Sequence, residues 1–419
     1  MRNLAIRIEE APVGNHEYLP VVIVGTGPAG IRVAEELLSR APETHIVMYG
    51  DEPWEPYNRV RLSSLLAGDV RVNDLQNIPQ IKESKWLVTQ LHCAVVSIDR
   101  ERKCVIDVQG REQPYSKLIL ATGSRPHIPA IRNIGLAGIF AFRDLGDAQH
   151  LLARRTRSRH TIVLGGGLLG LEAARAMQRM NTRVTVIEHA THLMSRQLDT
   201  EGGEYLREYV MSLGIQVILA NGVAEFLGDK HVEGVRLRNG RTLECDTVIL
   251  AAGIRPRTEL ARQARLVMRS GIHVSDDMLT SDPDIYAIGE CAEHNGIVQG
   301  LVAPGLEQAA IVADRLSGGH AIYKTSASVS QLKVLGMPVF SMGETGNEIS
   351  SVSFGVYRYQ NKSRSRYRKI ILHRRKLIGA ISVGEWDEVN RIQEVIANGR
   401  YIWPWQVRRF VSQGRLWME

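Results

Sequence analysis

Cysteine, aromatic residues and long apolar runs are all scarce in this 419-residue chain. Its four cysteines, Cys93, Cys104, Cys245 and Cys291, are too few and too scattered for a disulfide framework or a structural zinc site. That usage suits a reducing compartment, and the expected localisation is cytoplasmic. No run of about 18 apolar residues lacks a charge, so no integral membrane segment is expected. The N-terminus, MRNLAIRIEEAPVG, has no apolar core of signal-peptide length and already carries Glu9 and Glu10. Aromatics make up only 6% of the chain, but 44% hydrophobic and 23% charged residues are ordinary for a globular protein. Disorder, collagen-like repetition and coiled coil are thereby excluded. At roughly 150 residues per domain the length suggests two or three domains.

Acidic residues are scarce in one region alone. Residues 325–419 hold 15 Lys and Arg against 7 Asp and Glu, a net +8, whereas the whole chain carries +7. The body is therefore close to neutral, and the basicity speaks of a partner surface near the C-terminus.

What is present is a repeat. VVIVGTGPAG runs from Val21 to Gly30, a β-branched strand entering a glycine turn, and apolar residues at helical spacing follow. Gly25 permits the tight turn, Gly27 lets backbone approach a pyrophosphate, and Gly30 lets helix and strand pack closely. The helix then aims its unpaired N–H groups and positive dipole end at the phosphates. The arrangement returns in TIVLGGGLLG, where Gly165, Gly167 and Gly170 hold the corresponding positions. One such motif is weak evidence; two, each followed by a second strand, are strong.

The second strands separate the nucleotides. RVTVIE ends in Glu188, where a carboxylate accepts both ribose hydroxyls of an adenosine and repels a 2′-phosphate. NADH rather than NADPH is expected there, with His189 and Arg196 nearby. After the first motif HIVMYGDE places Asp51 and Glu52 just past the strand end, and either is the expected ribose contact. LILATGSRP, containing Ala121, Thr122, Gly123 and Arg125, is nearly copied by VILAAGIRP, containing Gly253. DIYAIGE ends in Gly289 and Glu290.

These motifs in combination resemble the FAD- and NAD(P)H-dependent pyridine-nucleotide oxidoreductases, over residues 18–345. The resemblance implies an α/β chain of two Rossmann-like nucleotide-binding domains, the NADH domain inserted in the FAD domain, with a small α+β C-terminal interface domain. The expected boundaries are an N-terminal extension 1–17, FAD-binding parts 18–135 and 257–324, an NADH-binding domain 136–256 and the basic domain 325–419. It further implies FAD contacts from Ala29, Val95, Glu290, Arg59 and Ser63, with Arg59 and Arg125 neutralising the pyrophosphate. Val302 and Ala303, ahead of a helix expected over 306–316, are placed near the flavin's pyrimidine end. Glu172 is placed near the nicotinamide; a solvated helix-start acid is its other reading.

Disulfide-reducing branches of that family carry cysteine after the first ribose strand, where this chain reads EPWEPYNRVRLSS without any. Cys291 reads as a packed core thiol. The run instead resembles rubredoxin and ferredoxin reductases and the flavoprotein part of assimilatory nitrite and nitrate reductases. Two stretches, beginning at Gly289 and at Gln331, favour the nitrite/nitrate group. No cysteine follows Cys291, so this chain is not expected to reduce nitrite alone. Electron transfer from NADH through FAD to a separate acceptor is the leading expectation. A rubredoxin or ferredoxin reductase is the alternative, and a flavin-bound redox-sensing protein the third. His189 and His192 read as surface histidines, with no metal site.

In the basic domain strands are expected over 334–340, 352–359, 368–373 and 377–383, with a helix over 387–398 closed by Gly399. The cation-rich run 358–376 reads as a docking surface for an acidic ferredoxin, rubredoxin or reductase subunit, with a plain charged hairpin rim as the other reading, in preference to nucleic acid. The tail holds three of the six Trp. It either lies on a membrane surface, packs over this domain or seals a contact in a homodimer.

Overall fold

A strand that is apolar at every position must be covered on both faces. Val21–Val24 is buried throughout and lies at the centre of a five-stranded parallel sheet. It pairs with Ile46–Tyr49 on one side and Lys117–Leu120 on the other, and Leu87–Gln90 and Ile285–Ala287 form the edges. The chain reverses its direction of travel across the sheet at this central strand. The carboxyl ends of the strands open a crevice at such a point, where ligands of α/β sheets bind. Helices Pro28–Arg40 and Val302–Leu316 pack on each other beside it. The second of these starts at Val302, earlier than its apolar spacing indicates, because Pro304 is tolerated in a first turn.

The computed structural model describes residues 19–75, 84–154, 156–179, 181–324, 329–345 and 354–418. The expected extension 1–17 lies outside them. The chain divides into one unit of Met1–Tyr57, Pro79–Ser124 and Pro256–Tyr323, and another of Asn58–Ile78, Arg125–Arg255 and Lys324–Glu419.

The second unit repeats the architecture of the first. His160–Leu164, buried at every position, pairs in parallel with Arg183–Ile187 and Thr247–Leu250, and Gln216–Ile218 and Ile139–Ala141 form the edges. Helix Leu168–Gln178 follows its glycine turn, and the short helix Leu62–Ala67 packs on that helix.

The C-terminal region of this unit is an antiparallel sheet in the order Val329–Val334, Met337–Gly343, Lys376–Val383, Arg366–His373, Phe354–Asn361. The single strand expected over 334–340 is two strands, joined at Leu335 and Gly336, both with positive φ. Arg374 and Arg375 make the same kind of turn. Helix Val389–Ala397 ends before Gly399, as expected. The Trp-rich tail contains a further helix, Pro404–Gln413, which sequence spacing did not reveal. Its Phe410 joins Ile402, Leu416, Ile370 and Trp386 in one apolar cluster, so the tail packs over the domain.

Residues 358–376 are not a uniform charged rim. Arg368 and Lys369 are only 4% and 3% exposed. Successive strand residues point to opposite faces, and here both faces are covered. Helix Thr200–Ser212 lies against strands Arg366–His373 and Lys376–Val383, and Val389–Ala397 packs on Lys376–Val383 as well. Arg368 donates to the carbonyls of Gly414 and Glu385, while Lys369 reaches Asp199. Arg358 is paired with Glu201. The exposed cations of the run are Arg358, Lys362, Arg364, Arg374, Arg375 and Lys376.

Candidate functional site

In the first unit the glycine turn is closed by contact with the Ala121 strand end. A Cβ on Gly25 (φ +123°) would lie 2.1 Å from the Ala121 carbonyl oxygen, and one on Gly30 2.0 Å from that of Gly25. Gly27 is different: a Cβ there meets no atom within 4 Å. Gly27 is also the N-cap of helix Pro28–Arg40 and supplies no side-chain cap. The first-turn N–H groups therefore face open space, as an anion site requires. Gly123 (φ +65°) likewise borders open space.

Three small residues bring the remaining pieces together. Ala29 lies against Gly289 (φ +76°), and a Cβ on Gly305 would sit 3.3 Å from the Gly289 Cα. The Gly289 N–H donates to Oε1 of buried Gln308 at 2.7 Å, and Ser124 Oγ donates to Glu290 Oε2 at 2.8 Å. Val302 and Ala303, both exposed, open the helix that carries Gly305. Thr122 donates its hydroxyl to the Arg257 carbonyl at 2.8 Å.

A cavity of about 400 Å³ lies at the end of the first ribose strand, lined by Gly25, Asp51, Val95, Thr122 and Arg257 among others. Asp51 forms an ion pair with Arg257, whereas Glu52 accepts the Tyr57 hydroxyl at 2.7 Å. Of the two expected ribose acids, Asp51 is therefore the one on the cavity. Arg257 was not expected. Its signal was the repeated turn itself, since it follows the IRP of the second copy.

In the second unit a Cβ on Gly165 (φ +117°) would lie 2.3 Å from the Ala251 carbonyl oxygen, and one on Gly170 2.1 Å from that of Gly165. Gly167 is an N-cap without a side-chain cap, and Gly167 and Gly253 both border open space. Glu188 is buried at the strand end. It accepts the N–H groups of Gly166 at 2.6 Å and Ala190 at 2.8 Å, and His189 Nδ1 lies 2.7 Å from Oε1. His189 is exposed, but His192 is buried with Nε2 on the Leu198 carbonyl, so only one of the pair is a surface histidine.

Glu172, in the first turns of helix Leu168–Gln178, is partly buried. Burial raises its carboxyl above the ordinary value, and a hydrogen bond from Ser63 opposes the rise. Ser63, expected near a diphosphate, is thus brought together with Glu172. Arg59 is part-exposed in the turn Arg59–Arg61, and Arg125 is exposed at the start of its segment. All four cysteines are buried, and burial raises the thiols of Cys93, Cys104, Cys245 and Cys291. At both cradles the second glycine borders open space and the helix start has no side-chain cap, as a dinucleotide pyrophosphate requires, so these residues fit FAD and a nicotinamide dinucleotide.

Residues 19–312 match the family described as pyridine nucleotide-disulphide oxidoreductase, and residues 329–400 match the rubredoxin NAD+ reductase C-terminal domain. The NAD(P)H nitrite reductase of Bacillus subtilis is 40% identical over 379 residues, 90% of this chain and 47% of that protein. The assimilatory nitrate reductase electron transfer subunit of the same organism is 34% identical over 385 residues, 91% of this chain and 50% of that one. The chain thus spans about half the length of these curated relatives. A ferredoxin reductase from Rhodopseudomonas palustris has a TM-score of 0.84 at 28% identity, covering 93% of this chain and 96% of that chain. On the match across residues 19–312, the chain belongs to the pyridine nucleotide-disulphide oxidoreductase family, NAD(P)H-dependent oxidoreductases that bind FAD and NAD(H).

Proposed function

We propose that this chain draws electrons from NADH at the second cradle, holds FAD in the first, and delivers electrons to a separate protein acceptor. It would be the electron-entry component of a nitrite- or nitrate-reducing system in the cytoplasm. The observation that carries this reading is a pair of matched, uncapped glycine cradles in a chain whose four thiols are all buried. A path through a redox-active disulfide would need paired, reachable thiols. The acceptor is therefore taken to receive its electrons from the flavin and not from cysteine.

FAD, when bound, supplies the conversion from a two-electron donor to one-electron delivery. The chain's residues do the rest. Gly27 and the first turn of Pro28–Arg40 bind the FAD pyrophosphate, Asp51 takes the ribose, and Glu290, fixed by Ser124, orients the ribityl chain. The N-terminus of helix Val302–Leu316 would supply a positive dipole end to the flavin held there. Gly165, Gly167 and Gly170 bind the NADH pyrophosphate and Glu188 its adenosine ribose, with Glu172 lining the nicotinamide. A 2′-phosphate on that ribose would bring negative charge to a buried carboxylate, which favours NADH over NADPH.

The acceptor is proposed to be acidic. Beyond Arg374, Arg375 and Lys376, the tail exposes Tyr401, Trp403 and Trp405 beside Arg400 and Arg408. Arg375 stacks 4.6 Å over Trp403 and Arg409 5.3 Å over Trp405. No Asp or Glu occurs in 366–384 or 395–418. Exposed Trp, Tyr and Arg are the residues that anchor protein interfaces.

A ferredoxin- or rubredoxin-type acceptor is the second reading, favoured by the match of residues 329–400. The test is direct. Purified protein should be yellow and bleach with NADH without oxygen. It should then pass electrons either to a nitrite or nitrate reductase component or to a rubredoxin or ferredoxin. Protein that stays colourless after incubation with FAD would refute both.

A further inference from the structure

Helix Thr200–Ser212 begins TEGG, and two adjacent glycines in a first turn disfavour a helix. Each has a close neighbour where a side chain would stand. A Cβ on Gly203 would lie 2.6 Å from the Cβ of His192, and one on Gly202 3.2 Å from the ring of Tyr367. His192 belongs to the segment between Glu188 and the helix. Tyr367 belongs to the C-terminal sheet. The helix start is therefore pressed between the NADH-side loop and the basic domain.

Asp199 sits at the join. Its Oδ1 accepts the Gly202 N–H at 2.9 Å, and its Oδ2 accepts Lys369 Nζ at 2.8 Å and the Tyr367 hydroxyl at 2.6 Å. Lys369 also donates to the Thr345 carbonyl at 2.8 Å. All three side chains are buried. Burial and the Asp199 carboxylate raise the Tyr367 hydroxyl's pKa, so it stays a donor. Losing either donor would leave a buried carboxylate short of partners.

From Asp199 the segment leads back to the glycine motif. His192 Nε2 meets the Leu198 carbonyl at 3.0 Å, and the Leu198 N–H donates to the Met194 carbonyl at 2.9 Å. The Met194 N–H donates to the Gly166 carbonyl at 3.0 Å, and the Gly166 N–H to Glu188. A Cβ on Gly166 would lie 2.6 Å from a Leu193 methyl. The loop thus lies on the motif at one end and is clasped by the basic domain at the other.

We infer that Lys369 and Tyr367 are positioning residues for dinucleotide binding: by holding Asp199 they keep residues 188–199 seated on Gly166 with Glu188 in place. The inference rests on the reading that NADH binds at this second cradle. If the clasp is loosened, the seated loop is only fractionally populated, and affinity falls by that fraction while the bound complex reacts as before. The signature is a split: weaker NADH binding with an unchanged limiting rate.

The experiment follows flavin reduction by NADH in FAD-loaded protein, without oxygen, in a stopped-flow instrument. Lys369→Met should raise the half-saturating NADH concentration about tenfold, within the span of ordinary site coupling, and Tyr367→Phe about threefold, within what a residue remote from the ligand modulates. The limiting rate should stay within about twofold, since the coupling acts on binding alone. Lys369→Arg should behave more like the natural protein. Gly203→Ala, which crowds His192 from the other side, should repeat the effect. Unchanged half-saturation in Tyr367→Phe and Gly203→Ala, with only a lower Tm, would overturn the inference even if Lys369→Met does not fold. Natural protein that fails to bleach with NADH would instead refute the functional reading beneath it.

Discussion

Ser63 donates a hydrogen bond to the Glu172 carboxylate where helices Leu62–Ala67 and Leu168–Gln178 pack together. Burial raises the Glu172 pKa, and the Ser63 hydroxyl, by favouring the charged form, holds part of that rise back. Ser63→Ala should therefore move the acid limb of the pH profile for flavin reduction by NADH upward. Glu172→Gln should abolish that limb. A profile identical in both variants would separate Glu172 from the nicotinamide.

The same group makes a stability prediction with a definite sign. A carboxyl whose native pKa lies above its unfolded value favours the fold most below the unfolded value, and that contribution is lost as pH rises through the native one. Glu172→Gln should thus raise Tm relative to the natural protein near neutral pH and lose this advantage in acid. Thermal melts across pH would check it.

The two cradles can be disabled separately. Gly25→Ala and Gly165→Ala each drive a methyl group into a carbonyl oxygen, at 2.1 Å and 2.3 Å, in a backbone conformation that alanine resists. Gly25→Ala should be purified colourless. Gly165→Ala should be yellow, and NADH should bleach it only at far higher concentration. Absorbance at the flavin band reports both outcomes.

Much of this site is visible in the sequence because nucleotide binding by backbone demands glycine at fixed spacing, and the demand appears twice. Gly25, Gly30, Gly165 and Gly170 stand in close contacts that only glycine fits. The repeated turn marks the place of Arg257 but not its pairing: its partner, Asp51, comes from a distant part of the chain, and no local pattern announces such a pair. Charge density in 358–376 reads as surface, yet Arg368 and Lys369 are interior, because composition does not reveal that a sheet is covered on both faces. The helix Pro404–Gln413 is hidden for a local reason. Its aromatic residues face both the core and solvent, so apolar spacing has no single stripe.

Glu188 carries the dinucleotide preference in the proposed mechanism. Glu188→Ala removes the ribose acceptor and also frees the Gly166 and Ala190 N–H groups, so NADH binding should weaken by about tenfold or more. NADPH should gain relative to NADH. Half-saturation with each dinucleotide measures the ratio, and an unchanged ratio would move the ribose contact elsewhere.

The exposed cation–aromatic surface gives a test by salt. Electrostatic steering raises encounter rates by roughly 10–1000-fold at low ionic strength and reaches only about 8 Å at physiological salt. Arg374→Glu with Arg408→Glu should slow reduction of the acceptor protein at low salt and leave flavin reduction by NADH as it was. Insensitivity of the acceptor rate to both salt and charge reversal would mean that this surface docks nothing acidic.

The covering of the C-terminal sheet by helix Thr200–Ser212 bears on how the molecule can be divided. Read along the chain, residues after Lys324 look like a detachable appendix, with their own sheet, helices and apolar cluster. In packing they are one wall of the second nucleotide fold. Removing them would strip the cover from Gly202 and Tyr205 and leave Asp199 without Lys369. A gene shortened at that boundary would encode a sticky remnant and not a smaller enzyme. Substitutions on the outer face of this wall escape the constraint that Asp199 and Gly202 place on the inner one.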